Sequence, residues 1–155
     1  MTYDQLRKRY LKKHKKLVQP RQGWGSLHAS LWLAYSLGRV RGFTDLGTYV
    51  NKSGDHGWDD RRNMAAAFDL GRKDRFLNRG WNYAKARRLV KLYVKHHKAL
   101  EIEYVILGMR IWSRSWLNSK KKPKAWSVEL GWHEYQGDTS HMFHIHVSGA
   151  VAHDN

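Results

Sequence analysis

The chain of 155 residues contains no cysteine. Neither a disulfide framework nor a cysteine-ligated zinc finger can therefore form, and any bound metal must be held by His, Asp or Glu. The chain also lacks a run of about 20 apolar residues, the length that spans a bilayer. We therefore expect no membrane insertion. The first 20 residues are basic and contain no apolar signal-peptide core, so we expect no signal peptide.

Acidic residues are scarce relative to basic ones. Twenty-nine Lys and Arg stand against thirteen Asp and Glu, which gives a formal net charge of +16. A surplus of this size favours a polyanionic partner. The composition leaves open nucleic acid, an anionic cell wall and an acidic membrane surface.

The length and the aromatic content together indicate one folded domain. A chain of this size buries a core without disulfides or metal staples, and the eight Trp and eight Tyr argue against disorder. We find neither an internal repeat nor a linker long enough to divide the chain. We therefore predict a single domain over residues 1–155, and we expect it to be a monomer.

Hydrophobic periodicity predicts the main elements. Residues 4–18 are predicted to form a basic helix within the segment 1–20, ended by Pro20. A second helix is predicted at 26–37, ended by Gly38, and a third at 82–98. Strands are predicted at 100–107, at 127–135 and in the histidine-rich segment near the C-terminus. Segments 42–58 and 120–124 are predicted to be turns or loops. Because helices come first and short strands follow, we predict an α+β fold.

The segment HMFHIHVSG at 141–149 holds three of the ten histidines. In a strand, side chains two residues apart share a face. His144, His146 and Ser148 would therefore point to one side, and Phe143, Ile145 and Val147 to the other. One face would pack on a core while the other presents ring nitrogens to a cleft, which is how a metal site is built on a strand.

Two earlier segments supply further candidate ligands. His56 ends the turn-rich sequence SGDH at 53–56, and Asp69 lies in the otherwise apolar run AAAFDL at 65–70. A carboxylate in such a run is costly to bury unless it is paired or bound to a metal. A catalytic zinc site uses His and carboxylate ligands and keeps one position for water.

These segments together resemble the LAS-type zinc peptidases, which include D-alanyl-D-alanine carboxypeptidases and phage endolysin peptidases. The likeness is to a phage-encoded branch and covers residues 50–149. It rests on SGDH at 53–56, AFD at 67–69, RIWS at 110–113, WHEYQG at 132–137 and HMFHIHVS at 141–148. The resemblance implies a small antiparallel sheet that carries the zinc site, flanked by helices, in a LAS or hedgehog-like fold.

The resemblance also implies the roles of the site residues. His56, Asp69 and His146 match the zinc ligands of the family, and His144 matches its non-ligating active-site histidine. His141 matches a further histidine that some relatives carry. The implied activity is Zn²⁺-dependent hydrolysis of an amide bond in a peptidoglycan stem peptide.

Two features depart from the family pattern. Twelve residues separate His56 from Asp69, where many relatives have six, although the phage branch also has a long insertion. Phe143 stands where several relatives carry an acidic general base, three positions before the final ligand. Proton transfer is therefore expected to fall to His144 or His141, both of which we include as catalytic candidates.

The implied partner is peptidoglycan, whose anionic wall polymers suit a chain of +16. We expect the protein to be made in the host cytoplasm and to reach the wall after release or as part of a virion. Two alternatives stay open. One is a basic nucleic-acid-binding protein or metal-dependent nuclease, and the basic surface is compatible with non-specific nucleic acid binding. The other is an inactive metal-binding relative.

Overall fold

The computed structural model describes residues 1–20, 26–48, 54–59, 61–71, 81–116 and 132–153. Within these ranges the chain forms three α-helices, α1 (Tyr3–His14), α2 (Trp32–Arg39) and α3 (Tyr83–Lys95). The strands of the same ranges are β1 (Ser26–Leu27), β2 (Thr44–Gly47), β3 (Met64–Ala65), β4 (Ala67–Gly71), β5 (Ile102–Leu107), β6 (Arg110–Ser113), β7 (Trp132–Glu134) and β8 (Ile145–Gly149). The predicted α+β class, with a mostly antiparallel sheet, is confirmed.

The main sheet of the described residues has the strand order β2-β4-β8-β5-β6-β7. All of its neighbouring strands pair antiparallel, while β1 and β3 form a separate parallel pair. The histidine strand β8 lies between β4 and β5. Asp69 of β4 is paired directly with His146 of β8, so the sheet itself brings two of the predicted ligands together.

The helices cover one face of this sheet. Phe68 of β4 meets Tyr35 of α2 and Tyr93 of α3 edge to face, with ring centroids 5.7 Å and 6.3 Å away. Phe68, its cross-strand partner Val147, and Ile145 are fully buried. Because successive strand residues alternate between faces, Asp69 and His146 point to the opposite side, away from the helices.

Helix α1 begins at a capping box and ends earlier than the sequence pattern predicts. The Thr2 hydroxyl accepts from the Gln5 backbone N–H, and the Gln5 side chain accepts from the Thr2 N–H. The helix stops at His14, where Lys15 adopts φ 67° and its N–H bonds back to the Leu11 carbonyl. The predicted end near Pro20 is therefore wrong, because a left-handed residue ends the helix first.

The predicted helix at 26–37 is three elements. It begins as β1, continues as a 3₁₀ turn at Ala29–Leu31, and only then becomes α2. Gly38 lies inside α2 and does not end it. A Cβ at Gly38 would lie 2.2 Å from Leu70 Cδ1 and 2.9 Å from the Tyr93 hydroxyl, so the missing side chain is what lets α2 pack closely on β4 and α3.

The other predicted elements agree in part. Helix α3 lies within the predicted range 82–98, and the Asn82 side chain caps it by accepting from the Lys85 N–H. The strand predicted at 100–107 is β5. Segment 42–58 was predicted to be turns, yet it contains β2, which forms by pairing with β4. Strand β7 occupies 132–134 of the predicted 127–135; residues 127–131 and the predicted loop 120–124 lie outside the described residues.

None of the helices in the described ranges is both long enough and apolar enough to cross a membrane.

Candidate metal centre

Three predicted ligands converge on the sheet face that is turned away from the helices. Asp69 Oδ1 lies 2.9 Å from Nδ1 of His146. His56 lies in the 3₁₀ turn Gly54–Gly57, and its Nε2 is 3.3 Å from Asp69 Oδ2 and 3.3 Å from His146 Nδ1. These three residues form a candidate metal-binding triad.

The His56 ring is fixed by a backbone contact. Its Nδ1 lies 2.5 Å from the Thr48 carbonyl oxygen. Because a carbonyl only accepts, Nδ1 carries a proton and donates it, so Nε2 is the nitrogen directed at the other two members of the triad. Metal-binding histidines commonly donate their second ring N–H to a carbonyl in this way.

The His146 ring is held by packing. It stacks on Tyr104 of β5, with centroids 5.5 Å apart and an interplanar angle of 21°, and His146 is only 7% exposed. Its Nε2 is buried and has no hydrogen-bond partner among the described residues. The nitrogen that His146 offers to the triad is therefore Nδ1.

The charges of the triad suit a cation. Burial opposes ionisation of Asp69, but hydrogen bonds from His146 and His56 and their charges outweigh it, so the Asp69 pKa lies well below its usual range. Burial lowers the pKa of His56, but the hydrogen bond and charge of Asp69 outweigh this effect and the net pKa is raised. Without a metal, an ionised carboxylate thus lies beside a His56 ring that favours its protonated form. A cation that replaced these protons would meet two imidazole nitrogens and a carboxylate, a donor set that fits a divalent transition metal.

The two catalytic candidates lie beside the triad. His144 immediately precedes β8, and its Nε2 is 3.7 Å from Asp69 Oδ1. His141 lies in the 3₁₀ turn Thr139–Met142, with its ring centroid 4.6 Å from that of His144 and 5.7 Å from that of His146. The structure therefore brings together all five residues selected from the sequence.

The His141 ring has a defined tautomer. Its Nδ1 lies 2.8 Å from the Asp138 carbonyl oxygen, so Nδ1 donates and Nε2 is the acceptor of the neutral ring. The turn is tied to the sheet because the Gly108 N–H donates to the His141 carbonyl at 2.9 Å. Burial lowers the pKa of His141, which favours the neutral ring that can accept a proton.

A second polar cluster supports the site and was not predicted. Asp55, next to His56, accepts hydrogen bonds at one carboxylate oxygen from the hydroxyls of Tyr104 and Ser148. His153 Nε2 lies 3.7 Å from the same oxygen. Burial opposes ionisation of Asp55, yet the bonds from Ser148 and Tyr104 keep its pKa below the usual value.

The sequence contained part of the information about this second cluster. Strand alternation places Ser148 on the face of His146, and Tyr104 is paired with Ser148 across β5 and β8. The same alternation along β5 could therefore have assigned Tyr104 to this face. Asp55 carried no such pattern, because it lies in a turn whose position depends on contacts with distant strands.

Asp55→Ala is expected to destabilise the protein by about 1–3 kcal/mol, because the hydroxyls of the half-buried Tyr104 and the buried Ser148 lose their shared acceptor. Thermal unfolding of the wild type and the variant measures the change. Tyr104→Phe, which removes one of the two donors, is expected to lower Tm less. The matched control is Asp59→Ala, since Asp59 pairs with the exposed Arg62 in the same region. A Tm for Asp55→Ala equal to that of Asp59→Ala would contradict the supporting role of Asp55.

Comparisons of the chain with protein-family models, with curated proteins and with solved structures found no match.

Proposed function

We propose that the protein is a zinc-dependent peptidase that hydrolyses an amide bond in peptidoglycan stem peptides, of the phage endolysin or virion-associated type. The observation that carries the proposal is the convergence of His56, Asp69 and His146 with two more histidines beside them. We also propose that the six-stranded sheet with helices on one face is a LAS-type fold. The order of the sequence motifs supports this assignment.

The spacing of the ligand atoms supports zinc. Tetrahedral zinc with bonds of about 2.0–2.2 Å holds neighbouring ligand atoms about 3.3–3.5 Å apart. His56 Nε2 lies 3.3 Å from both His146 Nδ1 and Asp69 Oδ2. The third separation, 2.9 Å between the other Asp69 oxygen, Oδ1, and His146 Nδ1, is a hydrogen-bond length. Two imidazoles and one carboxylate favour zinc over magnesium or calcium, which prefer oxygen ligands.

In this mechanism Nε2 of His56, Nδ1 of His146 and the Asp69 carboxylate hold the metal. When bound, zinc supplies a more acidic water and polarises the scissile carbonyl. The carboxylate of Asp69 offsets part of the positive charge at the site, and the Thr48 carbonyl and the Tyr104 ring hold the two imidazoles in place.

Proton transfer falls to the neighbouring histidines. Phe143 has no ionisable group. Its side chain is 39% exposed and does not pack on the core as strand alternation predicts, because β8 begins only at Ile145. His144 is the nearer of the two histidines to Asp69. The neutral His141 ring, which lies beside that of His144, has an unprotonated Nε2. We assign His144 to accept a proton from the attacking water and to return it to the leaving amine, with the His141 ring orienting that of His144.

The proposal is tested with the wild-type protein alone. We expect about one zinc per chain by metal analysis, and release of new amino groups from purified peptidoglycan. A chelator should abolish the release, and Zn²⁺ should restore it while Mg²⁺ should not. Absence of bound metal together with absence of released peptide would defeat the proposal.

A metal-dependent nuclease is the second candidate, and the net charge of +16 favours it. DNA binding does not separate the two candidates, because any chain this basic binds DNA in a salt-dependent manner. DNA cleavage that disappears in His146→Ala would favour the nuclease. Cleavage of peptidoglycan, without cleavage of DNA, by the same preparation would favour the peptidase.

A further inference from the structure

A basic groove lies in the helical layer of the molecule. The three helices enclose a cavity of about 510 Å³ that is lined by four exposed cations, Arg9 and Lys13 of α1, Arg41 after α2, and Lys95 of α3. Within the described ranges, these cations form no ion pair with a carboxylate. Their positive charge is therefore available to an anionic ligand.

The groove continues along α3. A second cavity of about 360 Å³ shares Arg41 and Leu92 with the first and adds Lys85 and Arg88. We call the two cavities together the basic groove. Its length along α3 suits an extended chain of anionic groups better than a single small anion.

The pKa of one histidine is consistent with a positive potential in the groove. His96 lines the larger cavity. Burial lowers its pKa, and the charges of Lys95 and Arg9 lower it further. The cations Lys95 and Arg9 and the N-terminal amine thus all disfavour a further positive charge at His96, and a polyanion would reduce this positive potential.

The floor of the groove indicates which kind of polyanion fits. It is made of aliphatic side chains, Leu6, Leu37, Val40 and Leu92. Tyr10 also lines it, but this ring is only 4% exposed. Proteins that hold single-stranded nucleic acid stack its bases on accessible aromatic rings, and the described lining offers no accessible Trp, Tyr or Phe ring, only the imidazoles of His14 and His96. An aliphatic floor between cations suits a flexible polymer of phosphates joined by short carbon chains.

The basic groove and the metal centre lie on opposite sides of the sheet. Helices α2 and α3 pack against Phe68 and its neighbours, whereas Asp69 and His146 point away from them. A polymer held in the groove would therefore leave the metal centre open to a second ligand.

We propose that the basic groove binds a phosphodiester-linked polyol polymer of the bacterial wall. The inference rests on the proposed function in one respect, since that function makes the wall the place of action. It assigns attachment to the wall to a defined groove, whereas the sequence alone indicated only that the high net charge favours the wall.

The test compares two variants with equal loss of charge. The groove variant combines Arg9→Gln, Lys13→Gln, Arg41→Gln and Lys95→Gln. The control variant combines Lys8→Gln, Lys12→Gln, Lys91→Gln and Lys98→Gln, which are exposed lysines of the same region that do not line the groove. Both variants lose four positive charges, and thermal unfolding checks that both are folded.

Binding is measured by titration with poly(glycerol phosphate) at several salt concentrations. We expect the groove variant to bind at least about tenfold more weakly at 50 mM salt. The slope of log affinity against log salt concentration should become shallower by about 3, because four lost cations each contribute about 0.7 for flexible single strands. The control variant is expected to change affinity by less than about threefold. Equal losses in both variants would overturn the groove assignment, as would absence of binding by the wild type.

Titration with a single-stranded oligonucleotide of equal charge tests nucleic acid as the competing partner of the groove. If it binds the wild type more tightly than poly(glycerol phosphate) does, and if that binding depends on the groove, the partner is nucleic acid and the wall assignment is wrong. Weaker binding of the oligonucleotide supports the wall polymer.

The proposed function is measured separately on peptidoglycan stripped of phosphate polymers, with the wild type and the control variant. Groove-dependent polymer binding without digestion would contradict the peptidase and support the groove. Digestion together with equal binding losses in the two variants would contradict the groove and support the peptidase.

Discussion

Asp69→Asn is expected to bind zinc more than about 100-fold more weakly than the wild type, beyond the usual loss for a residue that only supports a ligand. Peptidoglycan hydrolysis by this variant should fall by about three orders of magnitude or more, since about 4 kcal/mol of transition-state stabilisation corresponds to that factor. Metal analysis after dialysis and the rate of amino-group release measure the two effects.

The reason is that Asp69 contacts both other members of the triad. Its two oxygens face Nε2 of His56 and Nδ1 of His146. Asparagine keeps the size of the side chain and the backbone pairing of β4, but it removes the negative charge. Two neutral imidazoles without that charge hold a divalent cation poorly.

Asp59→Asn is the control for this experiment. Asp59 pairs with Arg62 on the surface and has no described contact with the triad, so its substitution should leave zinc content and hydrolysis unchanged. If Asp69→Asn retains wild-type zinc affinity, Asp69 is not a ligand. If it loses zinc and hydrolyses peptidoglycan at the wild-type rate, the reaction does not use the metal.

Local patterns were sufficient to predict the centre of the fold. The alternation of Ile145, His146 and Val147 predicted a strand with two faces, and β8 has its apolar residues buried against the helices and His146 on the other side. The apolar stripe of α3 was equally local, because residues three and four apart share a helix face. Such periodicities depend on neighbouring residues alone.

Positions that depend on distant residues could not be predicted from such patterns. Strand β2 has little strand pattern of its own and is defined by its partner β4. The sequence pattern predicted a helix end at Gly38. The structure shows that a glycine is needed there because Leu70 and Tyr93 approach the position closely. The end of α1 depends on the left-handed conformation of Lys15, which its sequence does not specify.

The candidate site likewise combines residues that local patterns predicted with one whose position depends on distant residues. Pairing of β4 with β8 places Asp69 opposite His146, and an alternating strand with a carboxylate in an apolar run indicated both residues. The placement of His56 depends instead on Thr48 and on the Asp55 cluster, with partners up to 93 residues away. Residue type and a turn-rich segment made His56 a candidate ligand and the family resemblance assigned its role, but neither spacing nor periodicity links it to the strands.

His144→Ala is expected to lower kcat for peptidoglycan hydrolysis by about 10²- to 10⁴-fold, the usual contribution of a general acid or base. Zinc content should stay at the wild-type level, because His144 Nε2 lies 3.7 Å from Asp69 and outside the triad. KM should change little. His141→Ala is expected to lower kcat less, since its ring lies against those of His144 and His146 and its proposed role is to orient His144.

Added imidazole separates proton transfer from a structural role. If His144 accepts the proton, free imidazole should restore part of the activity of His144→Ala, whereas it could not repair a distorted fold. The control is His28→Ala: His28 contacts Ser30 and Trp58 and has no described contact with the triad, so this variant should retain kcat. If His144→Ala loses zinc, His144 is a metal ligand. If His144→Ala keeps the wild-type kcat, His144 is not the base, and that role would fall to His141, whose Nε2 is the other acceptor at the site.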